Sequence, residues 1–596
     1  MNKLIQLRVA LVLSAAATAL VFAVPAAADT DGVIDEHQHG AVGGHLPASS
    51  LNVELVGKVR VHDAAPGIVA DVGTLGNYAY LAQFRPGCDA DGRGGVYVVD
   101  ISNPAAPREV GFIQSPPGSF PGEGVQAIHL DTQSFEGDVL ATNQEICRDG
   151  GKGGFSLYDV SNPLAPVTLV ESFGDTNGGT VAERQYHSVF VWQREIGDQQ
   201  KAYLVASDDE ERAATDVDIF DISDPRHPVQ IADTGLASWP AVVVNGWGAT
   251  SFNHDMVVEK IRGTWTMLSS YWDAGYVKLN VNDPANPVFI DDSDFSSPDP
   301  EFPQFTVGEG NAHYAEFDRK ERFIIGTDED FSPERTLLEI LSGANRGQYA
   351  ATEGSASRRI ATLSDALMND GTTYLGLGCS PAGLPPATED GNPDTEELAV
   401  LQRGVCTFQA KADNAQALGY DGFIVFNDAA RGDALVTMAV TSTLPGIFVG
   451  HTTGKNIFGG AVPAVGTAGE QVQASGRFDG WGYIHLFDAD TLREIDTYAV
   501  PATKDPANAS GAGAMSIHEV TFSRNSNLAY LSWYDAGFRV VSYGPQGLQE
   551  VGHFIDEGGN DFWGVQVRKP PAGPEVVLAS DRDSGLYIFR YTGPRP

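Results

Sequence analysis

The chain has 596 residues, with 78 Asp and Glu against 38 Lys and Arg and a formal net charge of −40. That length suffices for several domains and a large buried core. The charge argues against nucleic acid or an anionic membrane as a partner, because both would repel it.

In chain order, residues 1–28 read as a secretory signal. Lys3 and Arg8 give a positive start, Val9 to Val24 are mostly apolar, and Ala26-Ala27-Ala28 suits cleavage before Asp29. No second apolar run of about 18 residues follows, so no membrane span is expected. The expected location is outside the cytoplasm: secreted, periplasmic or cell-surface associated. Residues 29–50 read as a flexible leader. Four cysteines in an exported chain predict pairing. Cys88 and Cys147 hold matching places in successive repeats (FRPGCDADGRGG and NQEICRDGGKGG), and Cys379 and Cys406 fall together elsewhere. The expected staples are Cys88–Cys147 and Cys379–Cys406.

One phrase recurs from residue 95 onward: GVYVVDISNPAAPREVG, FSLYDVSNPLAPVTLVE, VDIFDISDPRHPVQIAD and VKLNVNDPANPVFIDD. Alternating apolar residues mark a half-buried strand, and Asn or Asp followed by Pro marks the turn after it. A strand pair repeating about every 60 residues, with no helical pattern between, reads as an array of propeller blades. These segments resemble LVIVD repeats, which are propeller blades of exported bacterial proteins. The resemblance implies an all-β propeller, and counting the inner strands predicts seven blades, starting near Ile68, Val125, Tyr186, Phe252, Ala312, Ile517 and Phe562. The last blade lacks its outer strand, and residues 52–61 are expected to supply it and close the ring. The propeller is expected to occupy 51–335 and 479–596.

The fifth blade is interrupted by residues 336–478. This insertion contains RGVCTF (403–408), KADNAQ (411–416), GYDGFIVFN (419–427) and PGI (445–447). Together they resemble a protease-associated (PA) domain over about 358–476, an α/β unit with a helix from Phe408 to Leu418 and a buried strand from Gly422 to Phe426. The resemblance implies a lid or recruitment module with no catalytic residues of its own. Neither G-x-S-x-G nor H-E-x-x-H occurs beside it, so peptidase chemistry is not expected.

Aligned on their innermost strands, four blades place a histidine at one position: His187, His254, His313 and His518; Ala70, Gln126 and Trp563 stand there in the others. The innermost strand lines the channel, so these imidazoles form an arc suited to Zn, Cu, Fe or Ni. Seven-bladed carotenoid oxygenases also hold iron with four axial histidines, a likeness of geometry alone. The second strands end in Glu145, Glu210, Asp273, Asp330, Asp535 and Asp583, with Arg85 in the first blade. These acids are expected to rim the same mouth, beside Trp272 and Trp533, where calcium is a candidate ligand. Two other roles stay open: the histidines as fasteners between blades, and the acids as hairpin turn residues. The insertion leaves and re-enters at that mouth. Two functions follow. One is an exported, non-enzymatic binding or scaffold protein that uses the mouth and the PA domain to hold a protein or small-molecule ligand. The other is a metal-dependent enzyme, an oxidoreductase, built on the histidine arc.

Overall fold

A computed structural model of the protein describes residues 45–596, apart from 85–93, 148–150, 175–184, 209–214, 248–250, 301, 304, 331, 358–370, 389–396, 437, 510–513 and 571–572. The expected secretory signal, Arg85, Cys88 and Glu210 lie outside the described residues. Among those described, no helix is long and apolar enough to cross a membrane.

Seven antiparallel sheets follow one another along the chain as propeller blades. The first is made of Val69–Leu75, Tyr78–Gln83, Gly95–Asp100 and Arg108–Gln114, paired in that order. The Asn-Pro-x-x-Pro phrase sits between its third and fourth strands. There Asn103 Oδ1 accepts from the Ala105 amide and the Asn103 carbonyl accepts from the Ala106 amide, the local bonds that make Asx a turn residue. The last blade takes its outer strand from the start of the chain: Val53–Arg60 runs antiparallel to Gly585–Tyr591, from Val53 opposite Tyr591 to Arg60 opposite Gly585. The leader is not wholly apart from the fold. Ser49–Leu51 adds a fifth strand to the sixth blade by pairing with its outer strand at His553–Ile555, because that edge would otherwise leave amides and carbonyls unpaired.

The described buried apolar residues of the propeller sort into seven clusters, each filling the gap between two neighbouring blades. Between the last and first blades, for example, Leu578 and Ile588 pack with Val69, Leu81 and Val99. The ring therefore has no blade whose loss leaves its neighbours covered. A variant beginning at Val61 would expose the Gly585–Tyr591 edge and unpack Val53, a side chain worth about 1.5–3 kcal/mol on burial. We expect it to lose the soluble monomeric fraction in size-exclusion chromatography.

The fifth blade is Ala312–Phe317, Phe323–Asp328, Ile484–Asp488 and Glu494–Tyr498. The insertion thus falls between its second and third strands, as the sequence predicts. Its own sheet starts at Glu334, slightly before the expected 336. Glu334–Ile340 pairs with Val472–Phe478 along its full length, so the entering and leaving strands form one antiparallel stalk. Beyond the stalk, Gly347–Ala356 leads to four parallel strands: Thr372–Tyr374, Leu398–Gln402, Gly422–Phe426 and Gly446–Val449. The helix Phe408–Ala417 packs on one face through Ala412 and Ala415, small enough for close approach. Thr407 caps that helix by accepting from the Ala410 amide. Cys379 and Cys406 are disulfide-bonded, with Cα atoms 5.6 Å apart. Cys147 is disulfide-bonded as well.

Candidate metal centre on the propeller axis

Five of the seven innermost strands carry a shared irregularity, three of them where His187, His254 and His313 lie. Register slips between Val69 and Val72, Tyr186 and Val189, Asn253 and Asp255, Ala312 and Tyr314, and Phe562 and Val565. Such a bulge bends a strand and re-aims a side chain. Here it turns the residue at the shared position toward the axis, and second-strand side chains satisfy the freed backbone groups. Ser207 Oγ accepts from the Ser188 amide, Ser532 Oγ from the Glu519 amide and Ser580 Oγ from the Gly564 amide, at 2.8–3.1 Å. Asn143 Nδ2 donates to the His187 carbonyl at 2.6 Å, and Thr327 Oγ1 donates to the His518 carbonyl at 2.6 Å.

Blade-to-blade fastening falls to the residues just after the shared position. Asp71 Oδ2 accepts from the Val125 amide at 3.0 Å, Asp255 Oδ1 from Ser188 Oγ at 2.7 Å, and Glu519 Oε2 from the Val565 amide at 3.1 Å. The imidazoles do not do this work. They form the expected arc: the ring centroids of His187 and His254 are 4.3 Å apart, those of His254 and His313 4.2 Å, and those of His313 and His518 4.2 Å. Trp563 continues it, 4.4 Å from His518. All four histidines are buried, none more than 2% exposed.

A residue the sequence reading missed completes the arrangement. Glu123, 2% exposed, reaches into the arc from the loop ahead of the second blade. Its Oε2 lies 3.2 Å from His187 Nε2, and its Oε1 lies 3.1 Å from His313 Nε2 and 3.7 Å from His518 Nε2. Only its neighbour hints at this placement. Gly124 adopts φ +74°, and a Cβ there would fall 2.5 Å from the Val189 amide nitrogen. A Gly124→Ala change is expected to displace Glu123 and cost about 1–3 kcal/mol, measured by denaturant unfolding.

Glu329 follows the second strand of the fifth blade and approaches from the other side, with Oε2 3.2 Å from His313 Nε2 and Oε1 3.9 Å from His518 Nε2. Tyr534 donates a hydrogen bond to it. Glu145 Oε1 is 3.3 Å from His187 Nδ1. Burial works against the charge of Glu123, yet His313, His518 and His254 hold its carboxyl well below the usual range. Burial also opposes a charge on His313, but Glu329 and Glu123 outweigh it and raise the imidazole to about 9. His254 and His518 are pushed well below the ordinary value by burial and by the neighbouring His313.

Donor atoms of Glu123, His254 and His313 all lie within 4.8 Å of one another, as do those of His313, Glu329 and His518, and those of Glu123, His518 and Glu519. Imidazole ligands at about 2.0–2.1 Å in a tetrahedron stand about 3.4 Å apart, so the spacings around Glu123 are those of a ligand set. Neither ring nitrogen of His254 or His518 has a hydrogen-bond partner, nor has His313 Nδ1, while His313 Nε2 faces the Glu123 and Glu329 carboxylates. Buried polar atoms left in that state call for an explanation such as an ion or ordered water.

The expected acidic rim is not one ring. Glu145 joins the histidines. Asp273 is buried against Gly246 and Gly310. Asp330 lies with Glu309 and Asp479. Asp535 is buried and feels the charges of Asp561, Asp583, Asp581 and Arg582. Asp583 is half-buried and accepts from the Gly67 amide at 3.0 Å, a contact between the last blade and the start of the first. The two tryptophans also part ways. Trp272 lies 5.3 Å from the His254 ring, whereas Trp533 packs in the core between the fifth and sixth blades, 6.1 Å from Tyr498.

Comparison with known proteins agrees with these two parts of the chain. The LVIVD repeat model matches residues 66–114 and the PA domain model matches residues 372–457. A curated relative, the E3 ubiquitin-protein ligase Godzilla of Drosophila melanogaster, is 37% identical over 82 residues, 13% of this chain and 15% of that protein. The chain thus spans about 15% of the length of that relative. Among solved structures, Saccharomyces cerevisiae Sqt1 is 10% identical with a TM-score of 0.35, over 93% of this chain and all of that one. A zinc aminopeptidase from Bacillus subtilis is 18% identical with a TM-score of 0.18, over 28% of this chain and 35% of that one. Both structural likenesses are too slight to carry an argument. The chain is a seven-bladed β-propeller with an LVIVD repeat, and a PA domain is inserted into its fifth blade.

Proposed function

We propose that this is an exported interaction protein whose propeller carries one transition-metal ion on its axis. The ligands would come from His254, His313 and Glu123, with His187 and His518 completing the arc. The observation that carries this reading is the convergence of His254, His313 and Glu123 donor atoms within 4.8 Å of one another, with both buried ring nitrogens of His254 lacking a hydrogen-bond partner. Imidazole with a carboxylate suits Zn, Cu, Fe or Ni. The fastening of blades by Asp71, Asp255 and Glu519 speaks against a purely structural role for the histidines.

The burial of every candidate ligand favours an ion held as a fixed part of a binding scaffold. The mouth and the inserted PA domain would then meet the partner, a protein or a small molecule. A second reading, a metal-dependent oxidoreductase, draws on one observation: Tyr534, which donates to Glu329, sets a buried phenol 5.3 Å from the His518 ring. The metal would supply redox chemistry there, and Glu329 and Tyr534 would hold a proton beside it.

Elemental analysis of the purified, metal-replete protein tests the shared claim. About one equivalent of a transition metal per chain is expected, and none bound under replete conditions would overturn both readings. Steady oxidation of small phenols with dissolved O₂ as the electron acceptor, lost in Tyr534→Phe with metal retained, would favour the enzyme.

A further inference from the structure

A second group of buried charges stands at the root of the inserted domain. Glu309 and Asp299 come from the loop between the fourth and fifth blades. Asp330 follows the second strand of the fifth blade, Arg335 lies on the entering strand of the stalk, and Asp479 follows the leaving strand. All five are at most 5% exposed. Both crossings between propeller and insertion therefore pass through one charged knot.

Its charges do not balance. Arg335 Nη2 lies 2.5 Å from Asp299 Oδ2, and Arg335 is also ion-paired with Asp479. Its guanidinium is fixed over the Phe305 ring, 4.4 Å from the centroid, and Nη1 donates to the Val307 carbonyl at 3.0 Å. It therefore has no freedom to serve Asp330, and it stays 3.8 Å from Glu309 Oε2. The half-buried Lys504 interacts with Asp299. Were all four carboxylates ionised, Arg335 and Lys504 would leave two negative charges. The neighbouring Asp328 is balanced separately, by His485 at 2.6 Å.

The unpaired atoms point inward. Carboxylate oxygens of Glu309, Asp330 and Asp479 lie within 4.8 Å of one another. Asp479 Oδ1 is buried and accepts no hydrogen bond, Asp330 Oδ1 is used by the Ser332 amide, and Asp330 and Glu309 are in hydrogen-bond contact with each other. Buried carboxylate oxygens this close need a shared proton or a cation, since like charges in a low-dielectric interior repel strongly. The donors are all oxygen, which selects a hard divalent ion over the imidazole-loving metals of the axis.

We propose that Glu309, Asp330 and Asp479 bind a calcium ion that fastens the inserted domain to the propeller. Asp299 and Arg335 act as positioning residues that hold Asp479 in place. Such an ion ties the loop before the fifth blade to both ends of the stalk, so its loss loosens the stalk without opening the ring.

The test uses the full-length protein, stripped with EGTA and titrated with CaCl₂ by calorimetry, together with limited proteolysis of the stalk. One Ca²⁺ per chain is expected at an affinity in or above the range of extracellular calcium modules, about 10⁻⁴–10⁻³ M, with slower cleavage around residues 331–346 and 470–483. Glu309→Gln is expected to weaken binding at least about tenfold, in proportion to one lost charged ligand. Asp479→Asn serves as a second variant, and its folding is checked by circular dichroism because it also faces Arg335. His254→Ala/His313→Ala is expected to bind Ca²⁺ as the unmodified protein does, which separates this site from the axis. No saturable uptake up to about 10 mM Ca²⁺, or unchanged affinity in folded Glu309→Gln, would overturn the proposal.

Discussion

A His254→Ala/His313→Ala double variant is expected to lose the axial metal altogether, falling from about one equivalent per chain to background in elemental analysis. Each ring contributes a nitrogen within 4.8 Å of the Glu123 donor atom, so removing both leaves one carboxylate and the two ends of the arc. What remains, Glu123 with His187 and His518 on opposite flanks of the arc, no longer contains the central Glu123–His254–His313 set whose donor atoms lie within 4.8 Å of one another. The ring should stay closed, because the fastening acid Asp255 remains, although Glu123 loses His313 at 3.1 Å and stability is expected to fall. Circular dichroism identical to the parent with the metal gone is therefore the expected pair of results. Metal retained in the double variant would place the ion elsewhere.

An Arg335→Ala variant is expected to be among the most destabilising single changes in the chain, by about 3–5 kcal/mol. Arg335 is the cation that meets both Asp299 and Asp479, and it is 5% exposed. Its removal strands buried charge at the junction and empties the space over Phe305 and Trp247. The loss should appear in chemical denaturation as an early transition of the inserted domain and the fifth blade. An effect below about 1 kcal/mol, the usual value of an exposed pair, would contradict the burial of this cluster.

The architecture was legible because its causes are local and repeated. Period-two apolar strands followed by Asn-Pro-x-x-Pro turns recur, and a repeat needs only the same local rule several times over. The closing strand was legible for the same reason: Val53–Arg60 has the alternation of the outer strands it replaces. The histidine arc could be read because equivalent positions in a ring face one axis, and the bulges that aim the rings occupy equivalent positions too.

What the repeats do not encode was missed. Glu123 belongs to a single loop, and nothing in one blade's pattern says that its carboxylate crosses to four rings from other blades. The same holds for Glu309, Arg335 and Asp479, which meet only because the chain leaves and re-enters the fifth blade at one place. The acidic strand ends looked alike in sequence and were expected to share a rim. Their partners differ: an imidazole for Glu145, a backbone amide for Asp583, and other carboxylates for Asp330. Alignment of positions gave direction, while charge pairing with non-repeating loops decided where each acid went.

The central claim is that Glu123 and the histidine arc hold a metal. X-ray absorption at the edge of the bound metal in the purified protein addresses it most directly. The account predicts a first shell of imidazole nitrogen and carboxylate oxygen at about 2.0–2.2 Å, with the imidazole scattering reduced in His313→Ala and one oxygen lost in Glu123→Gln. A first shell made only of oxygen, or one unchanged by both substitutions, would contradict it.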